Sequence, residues 1–373
     1  TGGEAEELRR AMGFKRSAER MRTIEERLRA GMTARDIVGA AQEQIVLAIT
    51  SFALYGFPES HAASFALIAY ASAWLRCHHP TAFTVALLNA WPMGFYHPAT
   101  LVSDAQHHGV EVRPVEVNSS GWECRWEARG SGRETPDAKS PVGAVRIGLR
   151  YVQGLRRQAG EAIALEQARA HFTSVEDLQR RCTLQVEELR TLAEVGAFAS
   201  FGLTRRAALW QVARAARPSG PLFDGENDAS QSPLTEMTPL EATAADYAGV
   251  SLTTGAHPIA YARAALRRQG VVPASGLLHL QNGSRVRTAG SVIVRQRPGT
   301  AKGLLFLTLE DETGMSQAIV TPDLLRDNRG VIVGSGGLIV EGTLQRRDGT
   351  VSVKAERFWP LGELAAVPSH DFR

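Results

Sequence analysis

The run Leu304-Leu305-Phe306-Leu307-Thr308-Leu309-Glu310-Asp311-Glu312-Thr313-Gly314 is an apolar stretch that stops on three carboxylates, a threonine and a glycine. Large apolar residues up to Leu309 read as a strand, and the polar residues ending in glycine read as a turn. Working outward, the runs Val286 to Arg295, Ser316 to Thr321, Gly337 to Gln345 and Val351 to Phe358 have the same character and are separated by turn signals. A helix-like segment, Asp323 to Asp327, stands between the third and fourth of these five strands.

Five short strands with a helix in that place predict a small OB-type β-barrel over residues 251–361, and the strand-turn-strand run resembles those of nucleic-acid-binding OB folds. Arg295, Arg297, Lys302, Arg346 and Arg347 suit a groove for single-stranded nucleic acid, with Phe306 as a stacking ring. Phe306 has a second reading as core, which its place inside an apolar strand favours. Glu310, Asp311 and Glu312 invite a two-metal reading, but a carboxylate-rich hairpin ending in glycine is expected to be a solvated turn. No metal site is assigned.

Upstream, Val152-Gln153-Gly154-Leu155-Arg156-Arg157-Gln158-Ala159-Gly160-Glu161-Ala162-Ile163 places a glycine between two helical stretches. A glycine turn leading into free N–H groups of a helix can approach a phosphate closely, the logic of a helix-hairpin-helix grip on the DNA backbone. Gly154, Leu155, Arg156, Arg157 and Gln158 are its candidate contacts, Arg156 standing where a second hairpin glycine is usual. A weaker copy runs from Leu192 to Phe198 around Gly196, followed by Arg205 and Arg206. Two ordinary helical turns remain the alternative for both.

The first ninety residues read as helical. Gly31-Met32-Thr33 is a break with Thr33 as N-cap, and Ala62 to Leu75 is a buried helix too short to span a bilayer. Pro80 opens the next helix. Val110 to Val117 alternates as a strand, with Pro114 making it an edge strand or two pieces. Arg129 to Pro141 is a loop, and Pro218 to Thr238 is a linker. Arg9, Arg10 and Lys15 around Gly13 could clamp a triphosphate. Ser60 and His61 sit at a helix N-terminus, where His61 reads as a cap or core residue. His78-His79 and His107-His108 have no acidic or cysteine partners at ligand spacing.

A chain of 373 residues with 44% apolar and 22% charged residues is globular and should hold more than one domain. Its net charge of +3 is uneven. Residues 141–220 carry 12 basic and 7 acidic residues, 221–250 none and 6, and 251–361 carry 14 and 8. Two basic modules thus flank an acidic connector, and basic modules favour polyanions. Cys77, Cys124 and Cys182 form neither a zinc pattern nor a disulfide framework, which fits a reducing cytoplasm. The start, Thr1-Gly2-Gly3-Glu4, has no signal-peptide character and reads as the middle of a protein.

Taken together, Leu8 to Lys15, the block Tyr55 to Leu88 and Asn89 to Pro98, with Arg295 to Gly303 and the ending Ser369 to Arg373, resemble the bacterial C-family DNA polymerases, and specifically their error-prone branch, the ImuC type. The resemblance implies a multidomain α+β chain. It has a helical fingers region (1–100), a small α/β connecting segment (101–150) and a helix-hairpin-helix region (151–217), then an acidic linker (218–250), the OB fold (251–361) and a tail (362–373). It implies template-directed nucleotidyl transfer and damage-induced translesion synthesis by the parent polymerase. Primer-template DNA, single-stranded template and deoxynucleoside triphosphates would be its ligands, and an accessory Y-family-like subunit and the sliding clamp its partners; no membrane is involved.

By the same resemblance Arg9, Arg10 and Lys15 lie near the incoming triphosphate, with Ser60 and His61 lining that pocket. The palm and its Mg²⁺-binding aspartates are expected upstream of Thr1, so this chain should hold no catalytic residue and be inactive alone. Pro221-Leu222-Phe223 resembles a clamp-binding peptide but lacks a preceding glutamine, and reads as linker. Two alternatives stand beside this reading: a fragment of the replicative polymerase III alpha subunit, and a non-catalytic DNA-binding adaptor.

Overall fold

In the computed structural model, residues 18–55, 59–94, 96–128, 143–215, 232–299, 301–347, 349–362 and 370–372 are described. Arg9, Arg10, Lys15, residues 56–58, the expected loop from Arg129 to Pro141 and most of the expected 218–238 linker lie outside them. The chain divides into two units, residues 1–77 and 78–373.

In the first unit, α1 (Ala18–Thr33) and α2 (Ala40–Tyr55) are joined by a turn through Asp36 and Gly39, both at positive φ. Arg29 ties them, reaching Glu25 at 2.9 Å and Glu43 at 2.7 Å. Thr33 is not an N-cap. It is the last residue of α1, its hydroxyl donating back to the Arg29 carbonyl at 2.9 Å, because the turn that starts the next helix falls at Gly39 instead. The alanine-rich segment is a helix, α3 (Glu59–His78), as expected, but it is not buried. Phe65, Leu67, Ile68 and Tyr70 are each more than half exposed, since its apolar residues lie all round the helix and one face cannot bury them all.

The second unit opens with α4 (Pro80–Asn89) and α5 (Pro98–His107), each with proline in the first turn. The strands β1 (Glu111–Arg113), β2 (Arg125–Ala128) and β3 (Gly143–Arg146) follow, in sheet order β1-β3-β2 with β1 on the edge and parallel to β3. The helices α6 (Arg157–Arg169), α7 (Val175–Arg181), α8 (Val186–Glu194), α9 (Arg205–Ala215) and α10 (Pro239–Val250) complete the helical part. One apolar core joins all of this. Leu88, Val102, Ile147, Leu149, Ile163, Leu178, Leu192 and Phe198 are each at most 1% exposed, and each such side chain contributes about 1.5–3 kcal/mol by leaving water.

Beyond α11 (Pro258–Arg268), the short strand β4 (Val271–Val272) and the one-turn helix α12 (Ala274–Leu277), five strands close a barrel. These are β5 (Arg285–Gln296), β6 (Leu305–Asp311), β7 (Gly314–Val320), β8 (Gly337–Arg347) and β9 (Thr350–Pro360), with the helices α13 (Pro322–Asp327) and α14 (Arg329–Gly334) between β7 and β8. Pairing runs β5-β6-β7-β9-β8 and returns to β5, which closes the sheet. A last strand, β10 (His370–Phe372), pairs in parallel with residues 294–296 of β5. Leu305, Leu307 and Leu309 point inward with Val292, Val320, Val340 and Val353, filling the barrel.

Candidate nucleic-acid interface

At the first hairpin the chain leaves a short 3₁₀ turn (Leu149–Tyr151) and reverses through Gly154, whose φ of +76° favours glycine. A Cβ there would meet nothing within 4 Å, so the turn faces open space. Leu155 anchors it in the core, and Arg156 stands at the N-cap position of α6 without a side-chain capping bond. Gly160 is the first N–H to find its helical acceptor, the Arg156 carbonyl at 3.0 Å. The N–H groups of Arg157 and Gln158 come before it, on exposed residues at the positive end of the helix dipole. Gly154, Arg157 and Gln158 therefore form an open backbone surface of the kind that takes a phosphate.

Arg156 has a different job. Its backbone N–H donates to Glu188 at 3.0 Å, its guanidinium donates to both oxygens of that carboxylate at 2.8 and 2.9 Å, and Nη2 reaches the Thr183 carbonyl at 3.0 Å. Glu188, 2% exposed, also accepts from the Gln185 N–H at 2.7 Å, closing a capping box at the start of α8. Burial opposes its charge, yet these donors prevail and hold its pKa down at about 2.

The Gly196 turn is packed rather than open. A Cβ there would lie 3.1 Å from the Arg205 side chain, which donates to the carbonyls of Glu194 and Ala242 and pairs with Asp246 at 2.8 Å. Arg206 reaches Glu241 at 3.4 Å. Both arginines thus fasten α9 to α10.

In the barrel the cations also divide. Arg295 is buried and donates to the carbonyls of Ile332 and Ser335, holding the end of α14. Arg346 donates to the carbonyls of Leu278 and Leu280. Arg297 and Lys302 stay exposed on the loop between β5 and β6, and Arg347 is exposed at the end of β8. Phe306 lies half-buried on the strand face opposite Leu305 and Leu307, outside the barrel core. The register aligns Gln296, Phe306, Ile319 and Lys354 across β5, β6, β7 and β9, a row with an aromatic ring at its centre and an exposed cation at its end. Lys354 was not singled out from the sequence; its outward place between inward Val353 and Ala355 was the signal available. His61 is exposed and its ring stands 4.4 Å from that of Phe65, while the Ser60 side chain lies outside the described set.

The acidic turn is not solvated. Glu310 and Asp311 are 4% and 1% exposed. Asp311 accepts from Arg263 at 2.8 Å and from the N–H groups of Ala274 and Thr313, both at 2.8 Å; Arg263 also pairs with Glu312. Ser103 of α5 donates to Glu310 at 2.5 Å, a carboxyl whose pKa burial pushes up. His107, unremarkable in sequence, contacts the Glu312 carbonyl oxygen at 3.2 Å, and His108 stands 3.5 Å from Asp104. The turn is the joint between barrel and helices. Its oxygens are committed to arginine, hydroxyl and backbone donors, so they do not fit a divalent cation, and among the described residues no cluster of three His, Cys, Asp or Glu side chains could hold one. No described helix is long and apolar enough to cross a membrane.

Residues 109–208 match a helix-hairpin-helix motif family, and residues 280–361 an OB-fold nucleic acid binding domain family. The chain is 44% identical over 374 residues to an error-prone DNA polymerase of Anaeromyxobacter dehalogenans (strain 2CP-C), covering all of this chain and 33% of that protein. Error-prone DNA polymerases of Corynebacterium glutamicum and Pseudomonas syringae pv. syringae are each 41% identical, again over all of this chain and over 34% and 36% of theirs. The chain therefore spans about a third of the length of these curated relatives. With a helix-hairpin-helix region followed by an OB-fold barrel, it is homologous from end to end to a part of the error-prone DNA polymerases.

Proposed function

We propose that this chain is the DNA-gripping part of an error-prone C-family polymerase that copies damaged template in the cytoplasm. The observation that carries the reading is the whole-length similarity to error-prone DNA polymerases. The open turn at Gly154 and the aligned row through Phe306 support it. On this reading Gly154, Arg157 and Gln158 hold the duplex backbone without reading sequence, with Leu155 anchoring their turn in the core. The row from Gln296 to Lys354, with Arg297, Lys302 and Arg347, meets the single-stranded template by stacking and charge. Arg156, Gly196, Arg205, Arg206, Arg295 and Arg346 shape these surfaces from behind. Arg9, Arg10, Lys15, Ser60 and His61 are assigned to the triphosphate side of the whole polymerase, where Mg²⁺ held by palm carboxylates would supply charge neutralisation for phosphoryl transfer. An accessory Y-family-like subunit and the sliding clamp are its proposed protein partners.

Binding of the chain to primer-template DNA should weaken steeply with salt, because each phosphate contact releases a counterion. An electrophoretic shift titration from low to physiological salt checks this, and absence of binding at low salt sinks the reading. Primer extension by the chain alone with Mg²⁺ and four nucleotides should give no product. Extension by pure protein would show that the catalytic carboxylates lie within it.

A further inference from the structure

The outer face of the barrel carries a second register-aligned row: Ala289 of β5, Ile339 of β8 and Trp359 of β9. Helix α11 covers its first two members, Leu266 and Ala262 packing with Ala289 and Ile339. Trp359 stands at the uncovered end, 36% exposed, and lies five residues, roughly 16 Å, along β9 from Lys354. Between α11 and Trp359 lies a groove of about 510 Å³ walled by Ala262, Leu266, Gln269, Arg287, Ile339 and Trp359. The Arg287 guanidinium sits 4.9 Å from the indole centroid. It is fixed by Glu341 at 2.5 Å and by the Gln269 carbonyl at 3.1 Å. Arg267 and Arg268, exposed and paired with no described residue, precede Gln269 at the end of α11. Glu341, which holds Arg287, is also paired with Arg285 at 2.7 Å.

We propose that this groove is a second single-strand subsite, in which one unstacked base packs against Trp359 beside the fixed Arg287 guanidinium and the flanking phosphates meet Arg267 and Arg268. Apolar walls ending in an indole, with the exposed cations Arg267 and Arg268 beyond those walls on the last turn of α11, call for a ligand that is flat and apolar in its body and anionic at its edges. A nucleotide combines both, whereas an apolar side chain leaves Arg267 and Arg268 unanswered and a free anion makes no use of the exposed indole. The subsite rests on the reading of the barrel as a DNA-binding module, yet it lies away from the row through Phe306 and is separable from it by experiment.

The test uses the chain with an oligothymidylate carrying 5-iodouracil. Irradiation should cross-link it to Trp359, located by peptide mass mapping. Trp359→Ala should weaken oligonucleotide binding about five- to 150-fold, the loss expected from one base–aromatic stack, and Trp359→Phe should recover part of it. Melting curves of both variants identify any loss that comes from unfolding, and the wild-type cross-link needs no variant at all. If the wild type binds, Phe306→Ala weakens it, and Trp359→Ala leaves affinity unchanged with no cross-link at Trp359, the subsite is overturned while the barrel reading stands. If the wild type fails to bind the oligonucleotide, both fall. A change in oligomeric state on Trp359→Ala with DNA affinity intact would assign the groove to a protein contact and overturn the subsite.

Discussion

Glu188 shows how one side chain can set a hairpin. Its carboxylate is nearly sealed from water, receives the Arg156 guanidinium in two-point fashion and caps two stretches of backbone. Glu188→Gln keeps the shape and loses the charge-assisted bonds, and should lower stability by about 2 kcal/mol, measured by urea unfolding at neutral pH. The sign with pH follows from its depressed pKa. The stabilisation is complete above the ordinary glutamate range near about 4.3. It is lost as pH falls toward about 2, because the unfolded chain takes up the proton first. Over that window the glutamine variant should lack this part of the acid sensitivity; equal slopes would mean that the network does not hold the charge.

Helix α11 carries a second titrating cap. The His257 side chain accepts the Ile259 N–H through Nδ1 at 3.3 Å, and burial lowers its pKa to about 4. The folded chain holds this imidazole neutral while the unfolded chain protonates it near about 6.5. Stability should therefore fall as pH drops from there toward 4. His257→Asn, which supplies a cap acceptor without titrating, should flatten that part of the profile in thermal melts; an unchanged profile would place the titration elsewhere. Elements such as α4 and β5 to β9 were legible in sequence because their signals are local: proline at a first turn, glycine at a strand junction, apolar runs of strand length. The role of side chains at their ends was not. Arg205 and Arg295 read as phosphate-seeking because their acceptors, Ala242 and Ile332, lie 37 residues away in sequence. Phe306 faces outward because Leu305 and Leu307 fix the pleat, which the run of apolar residues around it concealed.

At the scale of the molecule, Arg263, Asp311 and Glu312 join barrel to helices, with Ser103 and Glu310 as a second bolt. No local pattern announces this, since a carboxylate-rich turn is solvated unless another element comes to cover it. Arg263→Ala leaves Asp311 buried without its cation and should cost about 3 kcal/mol. Hydrogen exchange should rise first at the β6–β7 turn and at the end of α5; uniform change across the chain would mean that the contact is not a joint. The same buried turn limits how the barrel can be exchanged between polymerases. A transplant of residues 280–361 alone strips Asp311 of Arg263 and Glu310 of Ser103, so a chimera must carry its own matching arginine and serine with the barrel to keep the graft seated.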